Sequence, residues 1–310
     1  MRARTVAAAC LALLPLAGCA PGGDGGGGGG SGVVVTTNIL GDVTRRIVGD
    51  EAEVTVLMAP GADPHSFGVS ARQAAELADA ELLVHNGLGL EEGVARHVTA
   101  AREAGVTTLA VAEEVDPLPF GADVDGEAGE PDPHFWTDPT RMRTAVEAVA
   151  ELVIAEVDGV DEAAVRANAE AYTAELDELD GWMAERFATV PDDRRALVTN
   201  HHVFGYLADR YDFDVVGAVI PSGTTLASPS ASDLESLATA VEAAGVPAIF
   251  ADSSQPDRLA RVLAEEAGLR VEVIPLFSES LTEPEGPAGS YLALMRANAD
   301  AIADGLVGTA

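Results

Sequence analysis

The sequence predicts an α/β protein of two lobes, each built on a parallel sheet, joined by one long backbone helix. Three observations predict it. From residue 33 onward, short apolar runs alternate with helical patterns, the signature of βαβ units. The same alternation resumes after residue 190. Between the two blocks, Asp161 to Ala188 runs without proline and with a single glycine, its apolar residues at helical spacing.

In the first block the strands are expected at Val33–Thr37, Glu53–Met58, Glu81–Asn86 and Thr107–Val111. Helical patterns occupy Ile39–Val48 and Ser70–Ala78, the second opening on a Ser70/Gln73 capping box, and a further helix starts near Pro139. In the middle stretch Val165, Ala169, Tyr172, Leu176, Leu179 and Met183 fall on one face. As one helix of about 28 residues it would be about 42 Å long, enough to span a domain, and we read it as a rigid connector. In the second block the strands are expected at Arg194–Asn200, Asp214–Ile220, Pro247–Asp252 and Arg270–Pro275. Helices fall at Phe204–Arg210, at Ser232–Ala244 with a Ser232/Glu235 capping box, and at Pro256–Ala267 with proline at its start. The divisions are therefore 33–157 for the first lobe, 158–190 for the connector and 191–310 for the second lobe.

The N-terminus reads differently. Arg2 and Arg4 precede an apolar run, Val6 to Ala17, too short to span a bilayer. It ends in Leu16-Ala17-Gly18-Cys19, which resembles a bacterial lipobox. Residues 1–18 are then a lipoprotein signal peptide and Cys19 the lipid-bearing residue. The glycine-rich stretch to residue 32 is a flexible tether with nothing to bury. This places a soluble domain outside the cytoplasm, anchored to the outer face of the cell membrane. Cys10 leaves with the signal, so neither a disulfide nor a cysteine metal site is expected.

The 310 residues, 47% of them hydrophobic, suffice for one large or two ordinary domains, each with its own core. The net charge of −33, with arginine as the sole basic residue, argues against nucleic acid as a partner. Charge of this kind by itself serves solubility.

The chain has six histidines, and two of them sit in an Asp-Pro-His tripeptide, at His65 and His134. His65 follows a strand of the first lobe, and His134 lies in a loop before a helix. His201 and His202 end a strand of the second lobe. Ligands of open α/β sheets bind beyond the carboxyl ends of strands. Proline ahead of a histidine restricts the local backbone, and preorganised ligands lose less entropy on coordination. Imidazole suits Zn, Cu, Fe and Ni, carboxylate suits harder ions such as Mn, and three histidines with a carboxylate would complete four-coordinate zinc. Surface or structural roles for these loop histidines stay open on spacing alone. His85, within a strand, and His97, on a helix, receive no metal role.

Five motifs in order carry a resemblance that covers Val33 to the C-terminus. They are "PGADPHSFGVSARQAAELADAELLVHNGLGLE" (60–91), "DPHFWTDP" (132–139), "VTNHHVFGYLADRY" (198–211), "PAIFADSSQPDRLARVLAEEAG" (247–268) and "SESLTEPEGPAGSYLALMRAN" (278–298). With them the chain resembles the zinc/manganese group of metal-binding solute-binding proteins of bacterial ABC transporters. The resemblance implies a metal site in the cleft between the lobes. It places the ligands at His65, His134, His201 and Glu279. At the third position zinc-type members carry histidine and many manganese-type members glutamate. The chain departs from the family at two points. His202 stands where aspartate is frequent, which makes it the alternative donor. Glu279 stands where aspartate is usual, so a longer carboxylate, or a water in its place, closes the shell. Asp252 is read as an acid supporting the ligands.

The resemblance further implies a monomer that captures Zn2+, with Mn2+ the alternative, and delivers it to a cognate ABC permease and ATPase complex. It implies no enzyme. The competing reading is a three-histidine zinc hydrolase with Glu279 as general base, but neither an HExxH motif nor a serine elbow accompanies it. Some relatives carry a histidine-rich loop before the second ligand. Here the matching segment, 118–134, is short and acidic and reads as a solvated loop.

Overall fold

The computed structural model describes residues 32–121, 124, 126–266 and 271–308. The signal segment, Cys19 and the tether to residue 31 lie outside the described residues, as do Asp123 and Asp125 of the acidic loop.

The described residues form two four-stranded sheets, and every strand pair in both is parallel. The first consists of β1 (Val33–Val35), β2 (Val54–Val56), β3 (Leu82–His85) and β4 (Thr107–Ala110), in the order β2-β1-β3-β4. The second consists of β5 (Ala196–Thr199), β6 (Asp214–Ala218), β7 (Ala248–Asp252) and β8 (Glu272–Leu276), in the order β6-β5-β7-β8. The second sheet thus repeats the topology of the first. Each expected strand is found, shorter than its apolar run because only part of the run is paired. The last expected run is shifted toward the C-terminus. Val33, Val34 and Val35 are fully buried, as a β-branched strand covered on both faces should be.

The helices of the first lobe are α1 (Asn38–Val48), α2 (Ala71–Ala78), α3 (Ala95–Glu103), α4 (Val111–Glu114) and α5 (Pro139–Glu156). The connector is α6 (Glu162–Phe187), and the second lobe carries α7 (Gly205–Tyr211), α8 (Ala231–Ala244), α9 (Arg258–Glu266) and α10 (Tyr291–Val307). The Ser70/Gln73 capping box is present at α2. The second box lies two residues earlier than expected. Ser230, extended after Pro229, caps α8, and its partner is Asp233 rather than Glu235. Ser232 is already inside the first turn and bonds the Ser230 hydroxyl instead. Arg258 rather than Pro256 opens α9.

The α6 helix has 26 residues, about 39 Å at the usual rise. Asp161 caps it by accepting from the Ala163 and Ala164 N–H groups. The apolar stripe read from the sequence is buried in full, and Phe187 extends it. α6 packs on α1 and α5 of the first lobe and on α10 of the second. One continuous apolar core therefore runs from Val33 to Leu306 through α6, and a smaller cluster around Val34, Leu77 and Leu83 belongs to the first lobe alone. Each fully buried leucine or valine in it contributes roughly 1.5–3 kcal/mol. A helix embedded at both ends in this core holds the two sheets at a set spacing.

Candidate metal centre

Four loops at the carboxyl ends of strands converge between the sheets. His65 comes from the loop after β2, and His134 from the segment leading into the short turn Phe135–Thr137 ahead of α5. His201 follows β5 and Glu279 follows β8. Each lobe supplies two side chains. All four are buried, none of the side chains more than 2% exposed.

Both Asp-Pro-His tripeptides use the same local device. The Asp63 carboxylate accepts from the His65 backbone N–H at 2.9 Å, and Asp132 accepts from the His134 N–H at 2.9 Å. An aspartate that bonds its own chain two residues on closes a tight turn, and proline between the two removes a competing donor and narrows the backbone. Asp132 does more. Its carboxylate also lies 2.7 Å from His134 Nδ1, which fixes the ring and aims Nε2 into the centre.

On the opposite wall, residues 278–281 are held from both sides. The Trp136 indole donates to the Ser278 carbonyl at 2.8 Å. The Asn38 side chain donates to Ser280 Oγ at 2.8 Å and accepts from the Leu281 N–H at 3.0 Å. Ser278 Oγ donates to Asp252. Asp252 therefore supports the glutamate-bearing segment; its carboxylate takes Ser278 and Ser254 rather than an imidazole.

Glu279 Oε1 lies 3.2 Å from His201 Nε2 and 3.4 Å from the Nε2 atoms of both His65 and His134. The His65 and His134 Nε2 atoms are 3.5 Å apart. A tetrahedral zinc with bonds of about 2.0–2.1 Å needs ligand–ligand edges of about 3.3 Å. Four of the six donor–donor edges are 3.2–3.5 Å, close to that length, and all four donors lie within 4.8 Å of one another. Among the described residues, Glu279 Oε2 and His201 Nδ1 are buried without a hydrogen-bond partner. An orphaned carboxylate oxygen in so dry a place suits a cation within reach of both oxygens.

The electrostatics agree. Burial pushes the Glu279 carboxyl up, but His201 and His65, with bonds to His134 and His201, override it and hold its pKa well below the usual range. Burial also disfavours charge on His134, yet the Asp132 and Glu279 carboxylates raise its pKa to about 9. Without a metal, the pocket thus keeps its charge balanced by a proton on an imidazole.

His202 does not join this quartet. Its backbone N–H bonds the Ser222 carbonyl, and the residue lines a cavity of about 320 Å3 with Leu118, Phe120 and Phe204. Adjacent residues leave a loop in different directions, and His201 takes the inward one. His85 and His97 are not part of the quartet either. Nor is the acidic loop merely solvated. Glu127 crosses to the second lobe and accepts from the Gly223 N–H at 2.6 Å and the Ser222 hydroxyl at 3.1 Å.

A family model described as ZnuA, zinc-uptake complex component A, periplasmic, matches residues 33–305. The chain belongs to the ZnuA family. Among its relatives, the zinc-binding protein TroA of Treponema pallidum (strain Nichols) is 30% identical over 274 residues, covering 87% of each chain. The manganese ABC transporter substrate-binding lipoprotein PsaA of Streptococcus anginosus is 28% identical over 302 residues, 96% of each. The solved structure of the Treponema pallidum protein superposes with a TM-score of 0.81 at 29% identity, covering 90% of this chain and 99% of that one. The Mn-bound periplasmic metal binding protein from Candidatus Liberibacter asiaticus gives 0.77 at 27% identity, covering 89% and 99%. The two-lobed architecture of this ZnuA-family chain is therefore that of known metal-binding proteins.

The sequence reading missed the two aspartates of the Asp-Pro-His motifs as working groups. The signal was available: the same acid stands two residues before both histidines. Asp132→Asn should lower zinc affinity about 10- to 100-fold, the usual cost of losing the partner that orients a ligating imidazole. Titration of zinc against a competing chelator reads it, with unchanged circular dichroism as the control.

Proposed function

We propose that the chain is the extracytoplasmic metal-capturing component of an ABC importer, with His65, His134, His201 and Glu279 as the ligands of its cargo. The observation that carries this is the buried set of three imidazole nitrogens and one carboxylate oxygen within 4.8 Å of one another, two from each lobe. The cargo is Zn2+. Three nitrogen donors favour it over manganese, and His201 is the donor that gives the set its third nitrogen. Mn2+ is the second reading, and Glu279 Oε2 is what favours it, because that unpartnered oxygen offers a fifth, harder donor.

Such a protein is a solute-binding component, not an enzyme. Glu279 Oε1 stands within 3.4 Å of all three imidazoles, the place of a ligand rather than of a base behind a metal-bound water. The partners are then a cognate permease and its ATPase. Among the described residues no helix is long and apolar enough to cross a membrane. Attachment to the cell membrane is assigned to lipid on Cys19, with the domain acting as a monomer.

Metal competition at equilibrium tests the assignment. The purified chain should bind one Zn2+ and surrender bound Mn2+ to an equimolar amount of Zn2+. Because zinc outranks manganese at most nitrogen sites, retention of Mn2+ against equimolar zinc would move the cargo to manganese.

A further inference from the structure

The two Asp-Pro-His copies divide their work. The Asp132 carboxylate serves its own histidine, through the N–H and Nδ1. The Asp63 carboxylate is filled from two sides. Oδ1 accepts from the His65 N–H, and Oδ2 accepts from Ser66 Oγ at 2.8 Å in the same loop. The same Oδ2 accepts from Thr225 Oγ1 at 2.7 Å and from Gln255 Nε2 at 2.8 Å, both on loops of the second lobe.

We infer that Asp63 is the positioning residue that couples metal binding to closure of the cleft: it ties the His65 backbone to Thr225 and Gln255, and these two bonds set how fast metal leaves. The inference rests on His65 being a ligand, as proposed above. Four observations carry it. Asp63 is only 6% exposed, so its charge depends on protein donors, and parting the lobes strips two of the four. Neither Thr225 nor Gln255 is bonded to any of the four proposed ligands among the described residues, so the Thr225 hydroxyl and the Gln255 side-chain amide reach the metal through Asp63; the Gln255 backbone N–H bonds the Asp252 carbonyl separately. Behind both donors the second lobe has a cavity of about 580 Å3, lined also by Ile220, Ala251 and Leu259, into which the two side chains can withdraw. Leu226, next to Thr225, is 52% exposed, which places this bond at the rim of the cleft.

The coupling works in both directions. A metal that draws His65 inward holds Asp63 where Thr225 and Gln255 reach it, and their bonds in turn hold His65 on the metal. Anything that pulls the 220–227 or 253–257 loop away loosens His65 without touching the coordination shell.

The test is zinc release from the full chain into excess chelator by stopped flow, comparing the parent with Thr225→Val/Gln255→Leu. Release should accelerate at least tenfold, with the association rate within twofold of the parent and the Tm of the metal-free protein unchanged. Thr225→Ser keeps the donor and should release zinc at the parental rate. Release from the double variant within twofold of the parent would overturn the inference. So would slower association with a lowered metal-free Tm, which marks a general packing defect, or a Thr225→Ser variant as fast as the double variant. If the parent itself bound no zinc, the ligand assignment would be the part that failed.

Discussion

Replacing His134 with alanine should lower zinc affinity by roughly 10^2- to 10^3-fold and leave the fold intact. Buried four-ligand zinc sites bind with about 10–16 kcal/mol, so one imidazole carries about 3 kcal/mol, and each 1.4 kcal/mol is a factor of ten. The loss has a second part. His134 is the imidazole that Asp132 orients at 2.7 Å and one of three that surround the Glu279 carboxylate. Without it, two buried carboxylates lose a partner, and the metal-free protein should lose stability as well. Chelator competition reads the first effect and thermal unfolding the second. An affinity within threefold of the parent would remove His134 from the ligand set.

The second large effect is that of pH. In the metal-free protein the two carboxylates hold the His134 pKa at about 9, while a ligating imidazole must be neutral. Below pH 9 the metal has to displace that proton. The apparent zinc affinity should therefore fall about tenfold per pH unit from this group alone, or about 100-fold between pH 8 and pH 6. At pH 7.5, binding should release about one proton, seen as a dependence of the calorimetric heat on the ionisation enthalpy of the buffer. The metal-free protein shows the opposite sign. The folded pKa lies above the unfolded value of about 6.5, so the proton stabilises the fold fully below pH 6.5. That contribution is lost as pH rises toward 9, and the Tm of the metal-free protein should drop over this window. An apparent affinity flat from pH 6 to pH 8 would show that no imidazole proton is displaced.

Much of this architecture was legible because it is local. The stripe on α6 repeats every three to four residues, and all six residues read from it are buried. The eight strands were legible as apolar runs bounded by turn residues. What failed was the finer choice among near-equivalent local options. Three serines around Pro229 each offer a cap, and the backbone selects Ser230. Single or shared cores could not be read either, since they depend on α6 packing against α10, more than 100 residues on.

The candidate centre divides along the same line. His65 and His134 were marked by a repeated tripeptide, and the pairing of Asp63 and Asp132 with their histidines is a two-residue geometry that the tripeptide contains. The contest between His201 and His202 was not decidable from chemistry, because the two are identical. The direction each takes out of the β5 loop decides it. Asp252 was read as a supporting acid, and its carboxylate accepts from Ser278, a contact set by the β7–β8 register. The bonds of Asn38 to Ser280 and of Asp63 to Thr225 and Gln255 join residues more than 150 positions apart, and no local pattern encodes them.

The central claim is that one cation sits among three imidazoles and one carboxylate contributed equally by the two lobes. X-ray absorption at the zinc edge of the 1:1 complex tests it most directly. The expected spectrum has only nitrogen and oxygen neighbours, at about 2.0–2.2 Å, with the outer-sphere scattering of three imidazole rings. It should fall to two rings in His201→Ala. A shell with fewer than three imidazoles in the parent, or three rings persisting after that substitution, would contradict it.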